Sequence, residues 1–510
     1  MFARSSFVNP SFGNLKLSAQ RSCYIDKAQL ETRIRHSSPR VTRFRVGAKF
    51  PRVACGLYLI ENLAFTGPNA NAACEKPNRS ACRDEALGES GRRLRTALGS
   101  NRNTGSRSFM PGPLDGLRVI DLSRVLAGPW ATQSLADLGA EVIKIERPGT
   151  GDDTRTFAPF LPGVDGQPGE SIYFLSTNRG KKSVTIDLAQ PEGQEIVRRL
   201  VDTADVLVEN YKVGNLAKFQ LDYASLSARN PRLIYCSITG FGQTGPNCAR
   251  AGYDIVIQAM GGLMSITGAP DGQPMKSGVA IADILTGLYA TQAILAAVHE
   301  RNRTGLGQFI DLALLDVQIA TLANMGTEYL MTGAIPKRHG NAHGSIVPYQ
   351  DFETKDGSII IAVANDAQFA RLAQIVGMPE IASEVKYKSN ADRVRNREVL
   401  LKILEQKFRS RTSTEWITEL DREGIPAGPI NALDAVFDDP QIVARDLLVE
   451  FPDRDGHSTR VIGNPIKFSR TSTSHNLPPP KLGEHTREVL TKVLGLGNPE
   501  ILRLEKNHTT

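Results

Sequence analysis

The chain has 510 residues, a length that indicates two or three domains. Hydrophobic residues make up 41% and charged residues 23%, which is typical of a globular protein and excludes a wholly disordered one. No uninterrupted apolar run reaches the roughly 18 residues of a membrane span, so the sequence predicts no membrane-spanning segment. The net charge of +7 is unevenly distributed, because residues 1–112 carry +12 and the remainder carries −5. The overall basic charge therefore does not indicate a nucleic-acid-binding body.

Residues 1–112 form a basic N-terminal extension with its own composition. They contain 15 arginines and 4 lysines against 7 acidic residues, and serine is frequent. This composition is typical of a mitochondrial transit peptide, so we expect a location in the mitochondrial matrix. A secretory signal is disfavoured, because no apolar segment of roughly 7–15 residues follows the first arginine. A nucleic-acid-binding arm is disfavoured too, because no repeated basic motif accompanies the arginines.

Short apolar strands and amphipathic helices alternate after Pro113. The sequence predicts strands at 117–122, 141–146, 204–209 and 233–238, with helices at 130–138 and 191–201. Strands that alternate with helices form βαβ units, and such units build a mostly parallel sheet. The predicted fold class is therefore α/β.

The second half of the chain begins with long helices and continues with a smaller α/β segment. Two helices are predicted at 284–301 and around 312–330, and a loop follows Gly333. After this loop the pattern predicts a strand at 358–363 and helices near 366–376 and 395–408. A strand-like run from Val461, a proline-rich stretch and a short helix end the chain.

Two motifs in the chain suggest ligand sites but have simpler interpretations. Gly240–Gly245 matches GxGxxG after a strand, but Pro246 and four more residues intervene before any helical pattern, so we interpret it as a tight loop. His339 and His343 are four residues apart, but glycines break the helix that would align them. No two cysteines have CxxC spacing. The sequence thus predicts neither a dinucleotide cofactor nor a bound metal ion.

Asp283 lies between the apolar residues 279–282 and the helix predicted at 284–301. An aspartate at a helix start is most often an N-cap, which accepts hydrogen bonds from the first backbone N–H groups. The same position would also keep the carboxylate ionised beside the helix dipole, and fixed in place as a nucleophile must be. From the spacing alone we favour the cap.

Motifs along residues 113–500 resemble the class III CoA-transferase family, the group of formyl-CoA transferase, carnitine CoA-transferase and α-methylacyl-CoA racemase. The matching stretches occur in the family's order: PLDGLRVIDL (113–122), AGP (127–129), LGAEVIKIERPGTGD (138–152), VENY (208–211), SITGFGQTGP (237–246), ADILTG (282–287) and LGEH (482–485). Three more stretches, 250–254, 342–350 and 428–431, resemble the branch that acts on dicarboxylic acids. The resemblance does not cover residues 1–112.

This resemblance implies an architecture in addition to the α/β class. It implies a Rossmann-like large domain with a mostly parallel sheet at 113–332 and a smaller α/β domain at 333–430. Residues 431–510 would return to the large domain, and two chains would form an interlaced homodimer. From the charge distribution, the hydropathy and the motif spacing above, no nucleic acid, membrane or metal ion is expected as a partner.

The family's functional residues map onto six positions of this chain. The aspartate of the Ala-Asp-x-x-x-Gly motif, Asp283, would be the catalytic nucleophile, which reverses the preference for a cap alone. The family's CoA contacts would fall on Leu126, Arg147, Asn210, Tyr211 and Lys218. Basic side chains suit this role because they pair with the phosphates of CoA.

The implied reaction moves CoA from succinyl-CoA, or a similar acyl-CoA, to a dicarboxylic acid such as glutarate. CoA would be a substrate, and no cofactor would be permanently bound. Asp283 would form a mixed anhydride and then an aspartyl-CoA thioester, which conserves the thioester energy without ATP. The far carboxylate of the acid needs a cation, for which four candidates remain open: Arg250, Lys337, Arg338 and His343. The glycine lid of formyl-CoA transferases would correspond to residues 340–345, which contain only two glycines.

Two alternatives to a transferase remain. The racemase branch of the family moves an α-proton with a histidine and an aspartate, but this chain has Tyr253 where that histidine would stand. Tyrosine is a poor base because its pKa is about 10, so the racemase is disfavoured. A non-catalytic CoA-binding protein would have no use for Asp283, whose presence argues against it.

Overall fold

The computed structural model describes residues 111–163, 167–452, 458–473, 475 and 477–510. The predicted transit peptide and nearly all of the basic extension lie outside these residues. The described residues form thirteen strands, numbered in chain order: β1 (Arg118–Asp121), β2 (Glu141–Glu146), β3 (Phe160–Pro162), β4 (Pro168–Ser171), β5 (Lys181–Thr185), β6 (Val206–Glu209), β7 (Ile234–Thr239), β8 (Phe309–Ala313), β9 (Tyr349–Glu353), β10 (Ser358–Ala362), β11 (Ala427–Pro429), β12 (Leu448–Phe451) and β13 (Thr459–Ile462).

The same residues form seventeen α-helices: α1 (Ala127–Asp137), α2 (Ile172–Thr177), α3 (Pro191–Asp202), α4 (Tyr223–Arg229), α5 (Asp254–Met260), α6 (Leu263–Ile266), α7 (Ile281–Thr304), α8 (Leu314–Ala320), α9 (Ala323–Thr332), α10 (Asp366–Ile375), α11 (Asn390–Arg395), α12 (Arg397–Phe408), α13 (Ser413–Arg422), α14 (Leu433–Asp438), α15 (Pro440–Ala444), α16 (Thr486–Leu494) and α17 (Asn498–Lys506).

A six-stranded parallel sheet organises the first two hundred described residues, and its strands lie in the order β5-β2-β1-β6-β7-β8. Successive side chains of a strand point to opposite faces, and both faces are apolar here. Val119 of β1 joins one buried cluster with α1 and α7, while its neighbour Ile120 joins another with α3 and α4. The predicted α/β class with a mostly parallel sheet is therefore confirmed.

The two edge strands of this sheet, β5 and β8, were not predicted. Lys181–Thr185 (KKSVT) is too polar to be read as a buried strand, although both lysines have partners in the fold. The helix predicted around 312–330 is wrong at its start, because Phe309–Ala313 pairs with β7 as a strand. The remainder divides into α8 and α9, since Thr321 and Leu322 interrupt the helix.

A second core surrounds the three-stranded antiparallel sheet β11-β10-β9. Phe352, Phe408 and Trp416 pack there, with ring centroids 4.7 Å and 4.9 Å apart along the row. This core draws its buried residues from positions 347–425. The strand predicted at 358–363 and the helix predicted at 366–376 are confirmed, and the helix at 395–408 begins two residues later, at Arg397.

The end of the chain packs against the first sheet. Val489 and Leu490 of α16 and Ile501 and Leu504 of α17 are buried in the cluster that contains Ile120. Backbone bonds join the two regions as well, since the Asp187 N–H donates to the Thr509 carbonyl at 2.8 Å. The last helices are therefore part of the wall of the parallel sheet.

Helix α7 has 24 residues and a mean hydropathy of 1.6 over its most apolar part, so by length and composition alone it could cross a membrane. This helix contains no long uninterrupted apolar run, because Asp283, Thr286 and Gln292 interrupt its apolar residues. In the fold α7 packs against α1, with Ala290 and Ile294 fully buried between them and the sheet. A core helix of a globular protein meets the same criterion.

Candidate active site

The predicted site residues lie at the carboxyl edge of the parallel sheet, where the strand order reverses. From β1 the sheet continues to β2 on one side and to β6 on the other. In open α/β sheets, ligands bind in the crevice beyond the strand ends at such a switch point. The connection at 122–126, which follows β1, and Tyr211, which follows β6, border this crevice.

Two adjoining cavities follow this edge. The first has a volume of about 200 Å³ and is lined by Asp283, while the second has about 260 Å³. Arg124 and Tyr211 line both, so the cavities adjoin at these two side chains. All six predicted site residues border this groove: Asp283, Leu126 and Asn210 in the first cavity, Arg147 and Lys218 in the second, and Tyr211 in both.

Gly287 allows helix α7 to present Asp283 to the first cavity. A Cβ at Gly287 would lie 2.8 Å from the Ala127 carbonyl oxygen and 3.0 Å from the Trp130 Cβ, which is too close for another residue. Residues four apart share a helix face, so Asp283 lies one turn before this contact, beside the start of α1. The Ala-Asp-x-x-x-Gly motif thus has a physical basis: the glycine sets the helix contact, and the aspartate borders the cavity beside it.

The N-cap interpretation of Asp283 is wrong. Helix α7 begins at Ile281, three residues earlier than predicted, and its N-cap is Ala280, which makes no side-chain capping bond. The capping carboxylate comes from Asp254 instead. Its Oδ1 accepts the N–H of Ala282 at 2.8 Å and that of Asp283 at 3.4 Å. The side chain of Asp283 is therefore available for chemistry.

Burial raises the pKa of the Asp283 carboxyl from 3.8 to about 7, and the negative charge of Asp254 adds to this effect. Desolvation and this like charge thus oppose the helix dipole, which was expected to keep Asp283 ionised. The nearby Tyr173 phenol has a raised pKa for the same reasons, first burial and then the charges of Asp283 and Asp254. A carboxyl with a pKa near 7 is basic enough to be a good nucleophile and still ionises at neutral pH.

The second cavity carries positive charges suited to phosphates. Arg147 directly follows β2, and Lys218 lies in the short 3₁₀ turn Ala217–Phe219, with its Nζ 4.7 Å from the Phe219 ring centroid. Both side chains are exposed, and no carboxylate among the described residues pairs with either. The two acidic residues after Gly151 are both paired with cations: Asp152 with Lys144 at 2.8 Å and Asp153 with Arg124 at 2.9 Å.

Asn210 holds the connection between β1 and α1 against β6. Its Oδ1 accepts the Arg124 N–H at 2.9 Å, and its Nδ2 donates to the Arg124 carbonyl at 2.7 Å. The next residue, Val125, has a φ of 71°, a left-handed conformation that costs a β-branched residue about 1–3 kcal/mol. Both ends of the Asn210 amide are thus used to support the loop.

The structure separates the four candidates for binding a far carboxylate. Only Arg250 is among the described residues that line the cavity of Asp283. Its guanidinium lies 5.1 Å from the Phe241 ring centroid and donates to Asn247 Oδ1 at 3.2 Å, and no described carboxylate pairs with it. Arg338 instead donates to carbonyl oxygens of residues 265, 269 and 272, and His343 packs on Tyr349. Residues 340–345 do not line either described cavity.

Sequence reasoning missed several residues in this groove and beside it. Arg124 directly follows the strand-like run at 117–122, and a polar residue at a strand's carboxyl end is a usable signal. The role of Asp254 had no local signal, because its bonds to α7 join residues 28 and 29 positions apart in the chain. Tyr173 and Lys212 had no signal in the sequence. The predicted tight glycine loop at Gly240–Gly245 is confirmed, because no helix follows until α5.

Comparison with known proteins identifies the family of the chain. The sequence model of CoA-transferase family III matches residues 114–486 of the chain. The chain belongs to this family, and it is therefore an enzyme of the CoA-transferase class.

Individual relatives cover most of the described chain. Succinate–glutarate CoA-transferase of Agrobacterium fabrum is 51% identical over 382 residues, which cover 75% of this chain and 96% of that protein. Succinyl-CoA:glutarate CoA-transferase of Homo sapiens is 45% identical over 410 residues, 78% of this chain and 92% of that protein. A CAIB/BAIF family protein from Brucella suis has a crystal structure that superposes with a TM-score of 0.68 at 49% identity, covering 75% of this chain and all of that one.

Proposed function

We propose that the protein transfers CoA from succinyl-CoA, or a similar acyl-CoA, to a dicarboxylic acid such as glutarate. Its relatives at 45–51% identity carry this activity in their names. One observation carries the proposal: the Asp283 carboxyl borders a cavity that adjoins a second cavity with the unpaired cations Arg147 and Lys218. A thioester whose phosphates bind these cations would extend along the groove toward Asp283.

The first half of the proposed reaction removes the donor acid. The Asp283 carboxylate attacks the carbonyl carbon of succinyl-CoA, the C–S bond breaks, and CoA leaves as a thiolate. Asp283 then carries a mixed anhydride with succinate. The thiolate attacks the aspartyl carbonyl of this anhydride, succinate leaves as a carboxylate, and an aspartyl-CoA thioester remains.

The second half repeats these steps in reverse with the acceptor. A carboxylate of glutarate attacks the carbonyl carbon of the aspartyl-CoA thioester, and CoA leaves as a thiolate. Asp283 then carries a second anhydride, with glutarate. The thiolate then attacks the glutaryl carbonyl, glutaryl-CoA leaves, and the Asp283 carboxylate is restored. Each step exchanges one acyl bond for another, so no proton, metal or nucleotide is consumed. Water must stay outside the cavity, since it would hydrolyse either anhydride.

Arg250 is the residue we assign to the far carboxylate of the acid. It lines the cavity of Asp283 and is exposed, and its guanidinium can form two parallel bonds to a carboxylate. Lys212 is a second exposed cation of this cavity, but it offers a point charge without the planar fork.

Substitution of Asp283 tests the reaction directly. Asp283→Ala should abolish formation of glutaryl-CoA, whereas Tyr253→Phe, a change in the same cavity, should retain most of the activity. Hydroxylamine with succinyl-CoA should convert Asp283 of the wild type to a hydroxamate that peptide mass spectrometry locates. Full transfer by Asp283→Ala would refute the mechanism. Rapid uptake of deuterium by 2-methylacyl-CoA without any acceptor acid, abolished in Tyr253→Phe, would instead support the racemase.

We also propose that two chains form the active unit. Large apolar side chains remain exposed at the end of α9 and just after it, with Leu330 and Met331 81% and Ile335 80% exposed. Such a cluster is typical of a surface that a second copy covers. Light scattering after gel filtration should give twice the mass of one chain, and Leu330→Glu should reduce it to that of a monomer; a wild-type monomer would contradict the proposal.

Localisation in the mitochondrial matrix remains a proposal that rests on the composition of residues 1–112. A reporter fused to these residues should enter mitochondria. A nuclear signal would favour a nucleic-acid-binding arm instead. A chain that begins near Met110 should fold and transfer CoA, because the family match begins at residue 114.

A further inference from the structure

The backbone of residues 123–125, at the border of the first cavity, is held almost entirely by side chains from other elements. The N–H and the carbonyl of Arg124 bond to Asn210, and three more backbone groups bond to side chains. The Ser123 N–H donates to Asp121 Oδ1 at 2.9 Å, and the Ser123 carbonyl accepts from Lys144 Nζ at 2.8 Å. The Val125 N–H donates to Asp152 Oδ1 at 3.2 Å. Five polar groups of three consecutive residues are therefore fixed before any substrate binds.

Two of the residues that hold this loop form a buried ion pair. The side chains of Lys144 and Asp152 are both completely inaccessible to solvent, and Nζ lies 2.8 Å from Oδ2. The other oxygen of Asp152 accepts the N–H and the hydroxyl of Thr154, at 2.9 Å and 2.8 Å, in addition to the Val125 N–H. The pair is thus held in place independently of the loop. Each member also forms one bond to the loop, Lys144 to the Ser123 carbonyl and Asp152 to the Val125 N–H.

The loop conformation needs such support because Val125 adopts a φ of 71°. A β-branched side chain disfavours this region, so an unsupported Val125 would move to an extended or helical conformation. The next residues, Leu126 and Ala127, would move with it, and both line the cavity of Asp283. Leu126 is also the N-cap of α1, and its side chain makes no capping bond to the helix.

We propose that the Lys144–Asp152 pair is a positioning element for catalysis: it holds Val125 in its strained conformation and so keeps Leu126 and Ala127 in place against the acyl group on Asp283. This inference rests on the proposed function, since it assumes acyl transfer at Asp283. It predicts an energetic coupling between Asp152 and Val125 that a purely structural ion pair would not have. The coupling arises because glycine adopts a φ of 71° without support, whereas valine does not.

A double-mutant cycle tests the coupling. Asp152→Asn, which keeps the shape of the side chain but breaks the ion pair, should lower kcat for glutaryl-CoA formation at least tenfold. Adding Val125→Gly to Asp152→Asn should recover at least threefold of that loss, because the loop no longer needs the support. Val125→Gly alone supplies the fourth corner of the cycle. Thermal unfolding of each variant separates this effect on kcat from a loss of folded protein.

A second buried ion pair, between the end of α1 and the turn before β5, provides the matched control. Arg179 and Asp137 pair at 2.5 Å with almost no exposure, and neither contacts residues 123–125. Asp137→Asn should destabilise the protein as well, but Val125→Gly should recover none of its activity. Thr154→Val removes a hydroxyl that holds Asp152 and leaves the ion pair, so it replaces Asp152→Asn in the cycle if the latter does not fold.

Two results would overturn the inference. The first is a double variant whose kcat is the product of the separate effects of Asp152→Asn and Val125→Gly. The second is an equal recovery of kcat when Val125→Gly is added to Asp137→Asn. A wild-type protein that transfers no CoA would refute the proposed function instead. An active wild type without the Asp152–Val125 coupling would refute only the positioning role.

Discussion

Replacing Asp283 by asparagine should abolish activity and yet stabilise the folded protein at neutral and alkaline pH. Burial and Asp254 raise the pKa of the Asp283 carboxyl from 3.8 to about 7, so the folded protein binds this proton more tightly than the unfolded chain does. Folding stability therefore falls as the pH rises from about 4 to about 7, and the full loss persists above pH 7. Asparagine has nearly the same shape but never ionises, so it escapes this loss.

The size of the effect follows from the same pKa. Each unit of pKa difference corresponds to about 1.4 kcal/mol, so a rise from 3.8 to about 7 corresponds to ~4 kcal/mol at most. Asp283 is partly accessible to solvent, which screens its charge, so we expect to measure about 1–3 kcal/mol. The extra stability of Asp283→Asn should vanish below pH 4, where residue 283 is neutral in the variant and in the wild type, whether folded or unfolded.

Calorimetric unfolding at a fixed protein concentration provides the assay. The Tm difference between Asp283→Asn and the wild type should be near zero at pH 4 and should grow to a few degrees by pH 8. Asp434→Asn, an exposed carboxyl outside the cavity, controls for the chemical change and should show no such growth. A Tm difference that is constant with pH, or a less stable Asp283→Asn at pH 8, would refute the reasoning.

Four further predictions concern the same groove. In the wild type, kcat/KM for succinyl-CoA should rise with pH through about 7, and Asp254→Asn should move this rise to lower pH, because a neighbouring charge is removed. Lys218→Ala should raise the KM for succinyl-CoA about tenfold in initial-rate assays, a loss of ~1.5 kcal/mol that matches one charge-assisted bond; an unchanged KM would remove Lys218 from the site. Arg250→Met should raise the KM for glutarate far more than that for a monocarboxylic acceptor, with Lys212→Met as the matched cation, and equal changes for both acids would exclude Arg250. Gly287→Ala should lower kcat and destabilise the protein by about 1–3 kcal/mol in denaturant unfolding, because its Cβ would meet α1; a fully active variant would contradict this account of the motif.

The sequence predicted the inner strands of the sheet well because each is a short apolar run between turn signals. β2 occurs with the predicted bounds, and β1, β6 and β7 lie within one or two residues of theirs. The edge strand β5 was missed because its lysines look like surface residues. Lys181 is fully buried, but its ion pair with Asp121 at 3.1 Å depends on a contact across 60 positions of the chain. No local pattern contains that information.

For the active site, the sequence supplied the identities of the residues but not their environment. The resemblance named six residues, and the structure brings all six to one groove. Their roles as CoA contacts remain predictions. The pKa of Asp283 could not be predicted, because it depends first on burial and then on Asp254, which lies 29 positions away and reaches the helix only in the fold. The same holds for Arg250, which spacing could not distinguish from three other cations. The domain bounds 113–332, 333–430 and 431–510 also remain predictions.

The closing of the first core by the C-terminal helices has a consequence for how the protein is made. Ser183 of β5 bonds to His485 across about 300 residues, and Val489 and Leu504 complete the wall over β1. At translation rates of about 5–20 residues per second, β5 emerges roughly 15–60 s before these helices. During that time the apolar face around Ile120 is uncovered and is a target for chaperones or for aggregation. A premature stop codon that removes only residues 486–510 would therefore leave every residue of the candidate active site in the chain. It would still leave the core around Ile120 uncovered by α16 and α17.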